Sequence, residues 1–218
     1  MKFGNLGRDE IEFILGGLWV SLKFTAISVV GGVFMGTLLT FLRFSQSRIL
    51  EFISAAYVSV FRGVPLIVQL CLIYFGTTIM FGWRLSTFAA GVMVFSLNSG
   101  AYVAEIFRAG IRSVPSGQYE AAMSLGIPYW RRMKDIILPQ AIRNILPSLV
   151  NEFINLFKES AIVSVIGEAD LMRRSQLVAA HKFTYFEPFI VAGLCYYVVV
   201  LVFSYCGRSL ERKFRSRA

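Results

Sequence analysis

The stretch FTAISVVGGVFMGTLLTFL, Phe24–Leu42, contains no charged residue. A helix crossing the hydrocarbon core of a bilayer needs about 20 predominantly apolar residues. The run meets that need if its helix starts earlier, around Phe13, so the first expected span covers about residues 13–42. Further runs follow it. Gly63–Trp83 is uncharged and is preceded by apolar Phe52–Phe61; Leu85–Ala104 is uncharged; Pro188–Gly207 closes the series. Asn144–Ile166 is mostly apolar but holds Glu152, Lys158 and Glu159. The expected fold is all-α and polytopic, with five transmembrane helices at about 13–42, 52–83, 85–104, 144–166 and 188–207 in a single domain over residues 1–218.

Composition agrees. Of 218 residues, 56% are hydrophobic and only 16% charged, against about 25% charged in soluble domains. Mean hydropathy is +0.63. The chain carries 22 Lys+Arg against 13 Asp+Glu, a net charge of +9. Such a balance in a soluble protein suggests nucleic acid, but here the basic residues sit beside apolar runs, so no nucleic-acid partner is expected. Thirteen of them fall in segments 43–51, 105–143 and 208–218; six, Lys2, Arg8, Arg84, Arg173, Arg174 and Lys182, fall on the other side; and three, Lys23, Arg62 and Lys158, lie within spans. The positive-inside rule then puts the N-terminus outside and the C-terminus in the cytoplasm. Cys71, Cys195 and Cys206 have no CxxC spacing and suggest neither disulfides nor zinc. The lone His181 reads as a surface side chain. No cleavable signal is expected before the first span.

The longest loop, about Glu105 to Arg143, lies on the basic side, its punctuated part spanning about 112–139. A short helix fits Gln118–Leu125, and Gly126 followed by Pro128 is a strong stop. A second helix fits Tyr129–Leu138, with Arg131, Arg132 and Lys134 facing water or lipid phosphates and Pro139 breaking it before span four. Two readings are open: a rigid piece that docks into a partner, or an interfacial hairpin anchored by Trp130 and its arginines.

Intramembrane charges mark sites where a cavity or partner compensates them. Glu152 and Glu159 are about 700° apart on a helix, within about 20° of two turns, and Ser148 and Asn155 share the stripe. The stripe reads as a cavity lining or as a hydrogen-bonded helix interface, with Glu159 paired to Lys158 or Arg62 as one option. Arg62-Gly63-Val64-Pro65 interrupts span two, and broken helices at membrane depth line binding sites. Arg62 suits a substrate carboxylate, or a fixed ion pair with Glu152 or Glu105. Asn98, Ser99 and Tyr102 offer neutral hydrogen-bonding groups on span three, Asn98 and Tyr102 on one face. Together these groups suit a zwitterion.

The loop also carries a resemblance. Glu120-Ala121-Ala122, then Gly126, then Ile136-x-Leu138-Pro139 resembles the EAA loop of ABC importer membrane subunits. Phe61-Arg62-Gly63-Val64-Pro65-Leu66, Asn98-Ser99-Gly100-Ala101-Tyr102 and Phe157-Lys158-Glu159-Ser160 resemble the group handling histidine, glutamine, glutamate, arginine and opines. Val64 departs from the Thr of many relatives. The stretch Glu168–Arg174 is similar to permeases for glutamine or arginine, with glutamine favoured.

The resemblance implies a type I ABC importer permease of the bacterial inner membrane, importing polar amino acids. It implies a coupling helix around Glu120, Ala121 and Ala122, supported by Gly126, Ile136, Leu138 and Pro139. Its partners would be an ATP-binding subunit, a periplasmic or extracellular amino-acid-binding protein and a second permease copy or paralogue, within the lipid bilayer. The chain itself has no P-loop: Gly31-x4-Gly36 is followed by Thr37 without Lys. No nucleophile–base pair is visible. Neither an enzyme nor a cofactor is therefore expected in this chain, ATP and magnesium belonging to the partner. The glycines Gly32 and Gly36 read as close helix packing. Arg173 and Arg174 suit either a binding-protein contact or a solvated loop. The alternative function is a self-contained, gradient-driven secondary transporter.

Overall fold

The computed structural model describes residues 6–215. Lys2 and Arg217 of the charge tally lie outside the described residues, as do the side chains of Lys213 and Arg215. The described residues are helical almost throughout. They form α1 (Arg8–Arg43), α2 (Arg48–Gly63), α3 (Leu66–Phe81), α4 (Thr87–Arg112), α5 (Ser116–Ser124) and α6 (Tyr129–Arg131). A π-helical turn (Arg132–Ile137) leads into α7 (Leu138–Glu159), a 3-10 turn (Ser160–Ile166), α8 (Leu171–Lys182) and α9 (Phe186–Arg215).

By length and apolar composition α1, α4 and the Phe186–Ser209 part of α9 can each cross a membrane, and the α2–α3 pair adds a fourth. Helix α7 is not among them, because Arg143, Glu152 and the amides Gln140, Asn144, Asn151 and Asn155 lower its hydropathy, with Lys158 and Glu159 added at its end. The expected second span is two helices bent by 102° at Val64-Pro65. The expected long loop is shorter than its sequence suggests, because α4 continues past Ala104 to Arg112.

Pro139 does not break the chain before α7, contrary to expectation. It sits in the first turn of α7, where a missing N–H costs least. The preceding turn opens to π register, with Leu138 N–H bonded to Met133 O, and the Gln140 side chain donates to Ile136 O at 2.8 Å. The helix path therefore runs from Tyr129 to Glu159 without an intervening loop.

Helices α1 and α4 pack closely. A Cβ at Gly32 would lie 2.6 Å from Ser99 Oγ, and one at Gly36 would lie 2.6 Å from Val103 Cβ. Small residues thus bring the two backbones together where no hydrophobic force separates helix from lipid. The main core joins Phe24, Leu70, Val94, Phe95, Leu156 and Val163. The Phe24 and Phe95 rings meet edge to face at 4.8 Å. At the opposite end from α5, helix α8 rests on α1: Leu171 N–H donates to Ser21 Oγ, and Lys182 pairs with Glu10 at 2.6 Å.

Candidate functional site

Three groups of polar side chains meet between α2, α4 and α7. The first closes the break between α2 and α3. Pro65 has no N–H for the carbonyl of Phe61, its i−4 neighbour. Gln69 Nε2 fills the vacancy, donating to Phe61 O at 2.9 Å and to Val64 O at 2.7 Å. Asn98 Nδ2 donates to the same Phe61 carbonyl at 3.0 Å and to Gln69 Oε1 at 3.2 Å. Asn98 therefore braces the break. Val64 is extended there, its N–H bonded to Val60 O. Sequence reasoning missed Gln69: an amide four residues after a proline in an apolar run is readable, but its burial and its partners are not.

The second group joins α4 to α7. Glu152 is 7% exposed, and Ser99 Oγ donates to its Oε1 at 2.8 Å. Of the polar stripe on α7, Glu152 is buried against α4, while Asn155 and Glu159 are exposed. No ion pair joins Glu159 to Lys158 or Arg62 among the described residues.

The third group lines an open polar cavity of about 450 Å³ containing Arg62, Tyr102, Glu105, Ser113, Asn144 and Ser148. Arg62 meets Glu105 at 3.9 Å, and its guanidinium lies 5.2 Å from the Tyr102 ring centre. Glu105 is also clasped by Arg108. Of the two carboxylates weighed as partners for Arg62, the structure selects Glu105. At 46% side-chain exposure, Arg62 keeps a face open to the cavity. Ser148 stands one turn before Glu152 on α7, and Tyr102 stands one turn after Asn98 on α4. The cavity therefore borders the Ser99–Glu152 contact.

A larger cavity of about 640 Å³, between α1, α4, α6 and α7, is lined mainly by apolar side chains including Phe41, Phe107, Trp130 and Leu138. The hydroxyls of Thr37 and Thr40 in it already donate to Val33 O and Gly36 O. It offers little to a polar solute.

The short helix α5 ends in a Schellman cap. Gly126 has φ +69, its N–H bonds Met123 O at 2.9 Å, and Ile127 N–H bonds Ala122 O at 3.0 Å. Only Ala122 of this helix is buried. Glu120 and Ala121 are exposed, as are Met123 at 54% and Leu125 at 78%. Ile136 accepts the Gln140 hydrogen bond, and Leu138 and Pro139 start α7. The chain thus presents a rigid, solvent-facing helical knob beside a family of apolar membrane-length helices.

A sequence model described as binding-protein-dependent transport system inner membrane component matches residues 28–216. The chain belongs to that family.

Permeases elsewhere resemble it closely. A Rickettsia felis protein, provisionally named glutamine transport system permease protein, is 49% identical over 94% of each chain. The arginine transport system permease protein of Bacillus subtilis is 48% identical over 95% of this chain and 94% of its own. A solved structure of an amino acid ABC transporter with histidines superposes with a TM-score of 0.90 at 46% identity, covering 93% of this chain and 94% of that one. The fold is that of an ABC transporter permease, a multi-pass inner-membrane component. The gradient-driven alternative finds no support in this family.

One further sequence expectation for the permease changes. Arg132 does not face water or phosphates: it is 8% exposed, its guanidinium 4.1 Å from the Tyr119 ring centre. Arg174 is half-buried, its Nη1 donating to Phe13 O at 2.9 Å and its Nε to Ala169 O at 3.1 Å. Both arginines follow one physical rule. A guanidinium satisfies itself on a nearby carbonyl or ring when the fold brings one within reach.

Proposed function

We propose that this permease subunit imports polar amino acids, glutamine favoured over arginine, histidine and glutamate. The observation that carries the reading is a buried carboxylate bordering an open polar cavity that holds a half-exposed cation. Glu152 lies buried on Ser99, while Arg62 keeps a face open to the neighbouring cavity. A zwitterion needs both signs of charge held apart, and neutral side chains between them. Arg62, Val64, Asn98, Ser99, Tyr102, Glu152, Asn155 and Glu159 form the solute path in this reading. Asn98 and Ser99 hold its walls, and Arg62, Tyr102, Asn155 and Glu159 face the solute. The names of the glutamine and arginine relatives support the substrate class.

The single domain over residues 1–218 counts five spans, α7 included, with the N-terminus outside. Helix α5 seats its exposed Glu120, Ala121, Met123 and Leu125 face in a separate ATP-binding subunit. That subunit supplies ATP hydrolysis and holds magnesium; this chain holds no cofactor and is no enzyme. A binding protein delivers the amino acid on the other side of the membrane. A second permease copy or paralogue completes the path.

Proteoliposomes containing the chain, its candidate ATP-binding subunit and its candidate binding protein test this. Uptake of labelled glutamine, arginine, glutamate and histidine is followed with and without ATP. Uptake of one or more that requires ATP, and that weakens in Glu152→Gln while the ATP-binding subunit still co-purifies, is the expected result. Uptake indifferent to ATP, or normal uptake by Glu152→Gln, overturns the reading.

A further inference from the structure

We propose that Arg132 is a positioning residue that makes α5 and α7 move as one body, so that a push on α5 reaches Glu152. The inference rests on the importer reading and adds to it a residue outside the EAA pattern. Arg132 opens the π-turn, and its side chain folds back onto α5. Its Nη2 donates to the Tyr119 hydroxyl at 3.2 Å, and its Cζ lies 4.1 Å from the Tyr119 ring centre and 5.8 Å from that of Tyr129. The Nε is buried with no hydrogen-bond partner. A buried guanidinium with so few acceptors is unfavourable unless its ring contacts compensate. The position holds a cation where an apolar side chain would fill the same space at lower cost.

The geometry around it explains what the cation does. Helix α5 buries only Ala122 of its own residues. Beyond Gly126 it is joined to α6 by the short segment Ile127-Pro128. Without the Tyr119–Arg132 contact, α5 could swing about the Gly126 cap and leave α7 in place. With it, α5 is fastened to the turn that runs directly into α7. Glu152 stands about 30 Å further along, at about 1.5 Å per residue. The helical path to Glu152 is continuous, although Pro147 inside α7 removes one backbone hydrogen bond along it, and displacement at the clamp is carried along that path to the Ser99–Glu152 contact.

The test uses the full complex of permease, ATP-binding subunit and binding protein in proteoliposomes. The readout is labelled amino acid taken up per ATP hydrolysed, alongside co-purification of the ATP-binding subunit. Arg132→Met fills similar space without a charge, so the fold is expected to persist. Tyr119→Leu loosens the clamp from the more exposed side, should Arg132→Met fail to fold. Each variant is expected to lower the ratio about tenfold while the complex still assembles. The double variant is expected to be no worse than either single one, since both remove one contact. Tyr119→Phe keeps the ring under the guanidinium and is expected to retain most of the ratio.

An unchanged ratio in Arg132→Met and Tyr119→Leu overturns the inference. So does loss of the ATP-binding subunit from the complex, which would make the pair a docking element only. Failure of the unaltered chain to show ATP-dependent uptake overturns the importer reading itself, a separate outcome seen before any variant is made.

Discussion

Ser99 on α4 and Glu152 on α7 are held by a 2.8 Å hydrogen bond, with Gly32 of α1 packed directly behind the serine. Three helices therefore meet on one polar contact. Because the carboxylate is buried, its oxygen depends on that hydroxyl. Ser99→Ala is expected to lower stability by about 1–3 kcal/mol and to weaken uptake. Thermal unfolding in detergent and uptake of labelled glutamine read the two effects. A variant that melts and transports like the unaltered chain would show that the bond does neither job.

Gln69 replaces the hydrogen bond that Pro65 cannot make. Gln69→Leu keeps the volume but removes the donor to Phe61 O and Val64 O. Asn98 still reaches Phe61 O, so the expected loss is about 1–3 kcal/mol rather than collapse of the break. Gln69→Glu is expected to be worse, because it sets acceptors against two carbonyls. Equal melting temperatures for the two variants would contradict this account.

Gly126 is required for its backbone angle and not for space. It has φ +69, and a Cβ built there meets nothing within 4 Å. Asn visits this left-handed region readily, whereas a β-branched residue does not. Gly126→Asn is expected to keep the α5 cap and the association with the ATP-binding subunit. Gly126→Val is expected to lose on the order of 1–3 kcal/mol locally and to reduce that association. A pull-down that ranks the two variants the other way would refute the argument.

Asp170 caps α8, accepting from Arg173 N–H at 2.8 Å, and it is fully buried outside the candidate spans. Burial pushes its carboxyl up from 3.8 to about 6, with the nearby Glu168 charge adding to the rise. The folded chain therefore binds this proton more tightly than the unfolded one. Its contribution to stability is full below about pH 4 and is lost as pH rises through about 6. Asn is an equally good cap and does not titrate. Asp170→Asn is expected to flatten the stability profile between pH 4 and 6 relative to the unaltered chain. Parallel profiles for the two proteins would rule out Asp170 as their source.

Much of the site was legible residue by residue, and its wiring was not. The stripe holding Glu152, Asn155 and Glu159 follows from helical period alone. That only Glu152 would be buried depends on α4 lying against that part of α7. Arg62 was readable as a cation at a helix break, yet the choice of Glu105 over Glu152 as its partner depended on how α2 and α4 are set. Asn98 was readable as a neutral group on α4, but its service to the Phe61 carbonyl needed the position of a different helix.

The sequence by itself determined the apolar helices, the break at Val64-Pro65, the cap at Gly126 and the family. Each of these rests on local chemistry: hydropathy over one helix length, a missing N–H, a backbone angle, a fixed spacing. Tertiary structure alone decided the partners of Ser99, Gln69 and Arg132, and the unbroken path from the π-turn into α7. Those depend on how separate helices are set against one another, and on a proline placed where a widened helical turn leaves its missing hydrogen bond unneeded.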